Sequence, residues 1–298
     1  MEFRLPSIDY RPAPFWSWND ALVEDELRWQ IQQLKTAGFG GFFMHSRVGL
    51  ETEYLSDEWF AKIGACIDEA RRIGMLAWLY DEDKWASGFA GGWLNRRFPE
   101  TRGVGLAAAI VEEGSLNAAL TAADTLVVFA VEKDEQGAVR SSRQLKAGDV
   151  PGKGETIWRY HTRPFVNDNW FNGETYLDIL NPQAVKKFLD ITMEGYDTRF
   201  RNDYGRTVPG MFTDEPNFYP WVGTDVTAMP WTAGMAELFT QRFGYDLVAH
   251  LDALSCRRPG FQKVRHDYHR FLTERFVESF AKPYGELCGR LGLKLTGH

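Results

Sequence analysis

The sequence predicts an α/β fold: an incomplete (β/α)8 barrel of TIM type, with about five β–α units and a small antiparallel β insertion after the third strand. Three observations carry this. Short apolar segments alternate with amphipathic helical patterns through the first hundred or so residues. Each apolar segment ends abruptly in polar groups, as barrel strands do at the rim that carries the chemistry. The alternation breaks between Gly103 and Pro164 and then resumes. The expected organisation is barrel units 1–3 in residues 1–102, the insertion in 103–164, and units 4–5 in 165–298.

Residues 12–18, Pro-Ala-Pro-Phe-Trp-Ser-Trp, make the first strand, and Asn19-Asp20 can cap the first helix. Leu27, Ile31 and Leu34 recur at helical spacing, and Gly38 closes that helix. Gly40–His45 is apolar on both faces, as parallel strands are, with Ser46 and Arg47 just past its end. Ser56 caps a second helix whose inner face is Ile63, Ile67 and Ala70, and Gly74 stops it. Met75–Tyr80 is the third strand and runs into Asp81-Glu82-Asp83.

Within the insertion, Thr125–Val131 and Thr156–Tyr160 alternate like exposed antiparallel strands, with a turn over residues 133–137 between them. Asn181 caps the next helix, Pro182 takes its first position, and Val185, Phe188 and Ile191 form its buried stripe. The Val208–Phe218 segment reads as a short buried strand that meets Asp214 and Glu215 and stops at Pro216. Thr232–Phe243 and Val264–Arg290 are helical, the second bent at Pro283, and Leu293–His298 is a fifth strand. Five units do not close an eight-stranded barrel, so the chain reads as a fragment of one.

Composition narrows the function. The net charge of −7, with no lysine- or arginine-rich block, disfavours nucleic acid. No apolar run reaches a membrane span, and the N-terminus has no apolar signal core, which implies a cytoplasmic protein. Cys66, Cys256 and Cys288 match neither a disulfide framework nor a zinc spacing. No Gly-x-Gly-x-x-Gly follows a strand, so a dinucleotide site has no support. Eleven tryptophans suit a protein that stacks flat ligand faces.

The strand ends bring Asn19, His45 with Arg47, Asp81 with Asp83, Asp214 with Glu215, and His298 to one rim. Glu215 is the candidate general acid, its pKa expected to rise among aromatic side chains beside Asp214. A helix-capping Asp followed by a first-turn Glu satisfies the same two letters. The 81–85 stretch suits sugar hydroxyls or a hard cation, or is a solvated acidic loop. His45 is a ligand or a core histidine; Arg47 binds a ligand oxygen or pairs with a carboxylate. Ser46 and Ser87 lie in no nucleophile elbow, and His266 with His269 read as an exposed helix face. Trp16, Trp18, Trp85, Trp170 and Trp221 are stacking candidates, about half of them core.

Pro14-Phe15-Trp16-Ser17-Trp18-Asn19, the Gly-Gly-Phe-Phe-Met-His-Ser-Arg run at 40–47 and the Tyr80–Gly88 run resemble the opening strands of glycoside hydrolase family 106, the α-L-rhamnosidase family. Ala90-Gly91-Gly92, Leu180-Asn181-Pro182 and Phe212-Thr213-Asp214-Glu215-Pro216 continue the resemblance in order, while the insertion matches poorly. The resemblance implies a (β/α)8 barrel that hydrolyses α-L-rhamnosides with inversion, helped by an active-site calcium ion. It implies Glu215 as general acid, tuned by Asp214. Asn19, His45, Arg47, Asp81, Asp83 and His298 become hydroxyl ligands, and Trp18 and Trp85 stacking platforms. Asp214 stands where many retaining relatives carry Asn, which argues against transferring a retaining mechanism. Family members are far longer, so the second carboxylate is expected beyond His298 and this polypeptide alone is expected to be silent. A carbohydrate-binding barrel without turnover and a β-galactosidase-like specificity are the rival expectations.

Overall fold

The computed structural model describes residues 6–223 and 227–298. Residues 1–5, which entered the reading of the N-terminus, lie outside them. The chain opens with β1 (Phe15–Trp18), α1 (Glu24–Thr36), β2 (Gly41–Ser46), α2 (Asp57–Ile73) and β3 (Leu76–Tyr80). A short α3 (Trp93–Arg97) leads into β4 (Val104–Val111), α4 (Leu116–Thr121), β5 (Thr125–Lys133), β6 (Val139–Gln144) and β7 (Glu155–Pro164). The remainder is α5 (Pro182–Phe200), β8 (Gly210–Thr213), β9 (Thr227–Trp231), α6 (Met235–Phe243), α7 (Asp252–Ser255), α8 (Phe261–Phe276), α9 (Lys282–Leu291) and β10 (Lys294–Gly297). No helix is long and apolar enough to cross a membrane.

Five parallel strands form one sheet in the order β1-β2-β3-β8-β10. Register sorts the side chains into two faces. Trp16 pairs with Met44, Phe42 with Ala77, and Leu79 with Met211, and this face is buried against the helices. The indole N–H of Trp16 reaches Gln30 of α1, and Trp18 packs edge-on against Trp59 of α2. The other face carries Phe15, Phe43, Trp78, Tyr80 and Phe212. Three strand spacings, about 14 Å if flat, separate β1 from β8, yet the Phe15 and Phe212 rings lie 4.8 Å apart. The sheet therefore curls around these rings as a barrel wall does. Its five strands leave β1 and β10 as edges among the described residues.

The local signals act largely as expected. The Ser56 hydroxyl accepts from the Trp59 N–H, and Gly74 ends α2 in the left-handed region at φ 67°. Asn181 Oδ1 accepts from the Gln183 N–H at the start of α5. The expected Asn19-Asp20 cap does not form: α1 begins at Glu24, after Val23, without a side-chain cap. Just ahead of Pro283, a π-helical turn at Val277–Ala281 joins α8 to α9. Proline has no N–H to continue the ladder, so the helix widens ahead of it.

The insertion belongs to a second, antiparallel sheet in the order β6-β5-β7-β4-β9. Two expectations need correction. Its fifth strand, β9, comes from beyond residue 164 and pairs with β4. β5 is not exposed on either face: Val127, Phe129 and Val131 enter the main core, while Val128 and Ala130 lie under α4 with Leu116 and Ala119. The two sheets thus share one large core.

Candidate active site

β8 delivers two consecutive carboxylates into opposite environments. Asp214 follows Phe212 and Tyr80 in register, so it points to the inner face and is 6% exposed. Tyr80 donates its hydroxyl to Asp214 Oδ2 at 2.9 Å, His45 Nε2 lies 3.6 Å from the same oxygen, and His298 Nδ1 lies 3.2 Å from Oδ1. The His45 ring packs on Tyr80 at 4.1 Å between centroids. Burial works to raise the Asp214 carboxyl, but His45, Tyr80 and His298 outweigh it and hold it below the ordinary aspartate value. Asp214 is therefore an ionised carboxylate with fixed donors.

Glu215 sits at φ 44°, a conformation uncommon for any residue but glycine. Pro216 follows at once, so the strand cannot continue. The Glu215 side chain is exposed, and its Oε2 accepts from the Trp85 indole N–H at 2.8 Å. Trp170 stands edge-on to Trp85, with centroids 6.0 Å apart, and donates its own indole N–H to the Trp85 carbonyl at 2.6 Å. The aromatic enclosure expected around Glu215 is instead one indole bond and an open side.

The 81–91 loop is held by its acids rather than displaying them. Glu82 is fully buried, and its carboxylate accepts from the backbone N–H groups of Asp83, Gly88, Phe89, Ala90 and Gly91 at 2.7–3.0 Å. Burial pushes Glu82 upward and these N–H groups oppose it. Asp81 is 0% exposed, accepts from the Ser87 hydroxyl, and faces Tyr284 of α9 rather than the inner face. Burial raises it to about 7.

Of the residues singled out in sequence, His45, Asp214, Glu215, His298 and Trp85 converge. Asp81 does not join them, because position parity turns it toward the helices. Trp18 is 2% exposed in the core and offers no stacking face. Asn19 and Arg47 are exposed. Arg47 lines a separate polar cavity of about 290 Å³ with Asp83, Lys84, Trp93, Arg96 and Asn172. Asp83 is tied there to Lys84 and Asn172. Trp16 faces α1, and Trp221 packs on Phe171 at 4.9 Å between centroids. Tyr80 and Ser87 were missed as site residues; parity along β3 is the signal that places Tyr80 beside His45.

Among the described residues, Asp214, Glu215 and His298 each offer a ligand atom within 4.8 Å of the others. Calcium takes six to eight oxygen ligands. Two carboxylates, one already accepting from the Tyr80 hydroxyl, and an imidazole do not by themselves make such a site.

No family model matches the chain, and no curated protein does. The structure is similar to that of a rhamnosidase from Novosphingobium sp. PP1Y, with a TM-score of 0.58 and 13% identity. The match covers 98% of this chain and 46% of that one, so the chain spans about half the length of that protein. At this identity the likeness concerns the fold.

Proposed function

We propose that the chain is a glycosidase-type sugar-binding barrel wall, with a terminal rhamnosyl or similar neutral sugar as its ligand and Glu215 as the general acid. The observation that supports this most is the pairing of an ionised, donor-fixed Asp214 with an exposed Glu215 held by Trp85, at the strand ends of a curled parallel sheet. An ionised carboxylate accepts sugar hydroxyl protons, and the Trp85 and Trp170 faces suit the C–H side of a pyranose. Glu215, open on one side and oriented by an indole, is the group free to protonate a leaving oxygen. The likeness to a rhamnosidase fold makes rhamnose the first sugar to test.

Asp214 is buried and already accepts from Tyr80, which favours a second reading: sugar recognition without turnover. Calorimetry with L-rhamnose and hydrolysis of an aryl α-L-rhamnoside separate the two. Saturable binding with turnover that Glu215→Gln removes supports the hydrolase. Binding alone supports the second reading. Absence of saturable binding for L-rhamnose and a panel of neutral sugars contradicts both.

A further inference from the structure

We propose that Ser87 and Asp81 form a positioning pair that sets the backbone around Asp214 and thereby aims the Glu215 carboxyl; this deepens, and rests on, the reading of Glu215 as the acid. Ser87 lies between β3 and α3 and is 0% exposed. Its hydroxyl donates to Asp81 Oδ1 at 2.5 Å and accepts from the Asp214 N–H at 2.7 Å. Its own N–H donates to the Asp214 carbonyl at 2.9 Å. One residue thus grips the peptide groups on both sides of Asp214. The Ser87 carbonyl in turn accepts from the Tyr176 hydroxyl at 2.5 Å, and that hydroxyl oxygen accepts from the Asn217 N–H at 3.4 Å. Glu215 lies inside this bracket, at the positive φ that gives its side chain its direction.

A serine hydroxyl has a single proton. For Ser87 to turn a lone pair toward the Asp214 N–H, that proton needs an acceptor elsewhere, and Asp81 supplies it. This gives a purpose to a wholly buried carboxylate that no ligand reaches and that is costly to bury otherwise. The same loop carries Trp85, two residues before Ser87, so both partners of the Trp85–Glu215 bond hang from one anchor.

The test monitors the tryptophan indole ¹⁵N–¹H resonances of the 298-residue chain without sugar, with the Trp85 peak identified in Trp85→Phe. Glu215→Ala defines where that peak moves when its acceptor is gone. Ser87→Ala is expected to move it most of the way there, while the peaks of buried Trp18 and Trp59 stay in place. Asp81→Val is expected to do the same, with no further movement in the double variant. Asp81→Asn, which keeps an acceptor oxygen, is expected to leave the peak where it was. A Trp85 peak unmoved in Ser87→Ala overturns the proposal. Should that variant fail to fold, Ser87→Cys is read by the same criterion. Because no sugar is present, loss of the rhamnose reading and loss of this one are seen separately.

Discussion

Asp214 and Glu215 are neighbours in the chain, and the fold treats them oppositely: one is ringed by Tyr80, His45 and His298, the other is open and held by a single indole. General acid catalysis supplies about 10²–10⁴-fold. On the hydrolase reading proposed above, Glu215→Gln is expected to lower any turnover of a poor-leaving-group α-L-rhamnoside by that order while sparing L-rhamnose affinity, measured by initial rates and calorimetry. Away from the site, Glu69 illustrates a structural acid. Arg72, Gln32 and Arg28 surround it, with Arg72 the largest influence, and bring it to about 2. Its folded value lies below its unfolded one, so its contribution is present above the ordinary glutamate range and is lost as pH falls toward about 2. Glu69→Gln is expected to lower Tm at pH 7, and the gap to the parent should narrow steadily on acidification. An unchanging gap contradicts the assignment. At this scale the sequence was legible where motif and parity agree, as at Asp214-Glu215-Pro216. It misled at Asp81 and Trp18, which strand alternation turns toward the helices.

The elements depend on close approach at a few points. Gly195 of α5 lies against the Phe60 ring of α2, and a Cβ there would intrude on it. Overpacking of this kind costs about 1–3 kcal/mol. Gly195→Ala is expected to lower the denaturation midpoint accordingly, and a Phe60→Leu background should recover part of the loss. Ser56→Ala removes the cap of α2 and is expected to cost about 1 kcal/mol by the same measurement. Helices and parallel strands were legible because their caps, glycine stops and apolar runs are local. β4, Val-Gly-Leu-Ala-Ala-Ala-Ile-Val, was not: its alanines favour helix, and it is a strand because β7 and β9 pair with it on both sides. β9 itself is too distant in sequence for any local pattern to attach it to the insertion. Nothing local announced that α4 would cover β5.

For the whole molecule, the curl of the parallel sheet turns separate strand ends into one rim, and the antiparallel sheet braces it through the shared core. The order of motifs along the chain made the parallel sheet legible. The route by which the insertion joins the core was not, because it depends on contacts between segments far apart. On the proposed function, a neutral sugar sits where Trp85 and Glu215 meet. The most direct test is titration of the chain with L-rhamnose while monitoring the indole resonances. Saturable shifts of the Trp85 and Trp170 peaks are expected, with Trp18 and Trp59 unmoved. Saturable shifts confined to Trp158 of the antiparallel sheet, or no shift at any tryptophan, would contradict it.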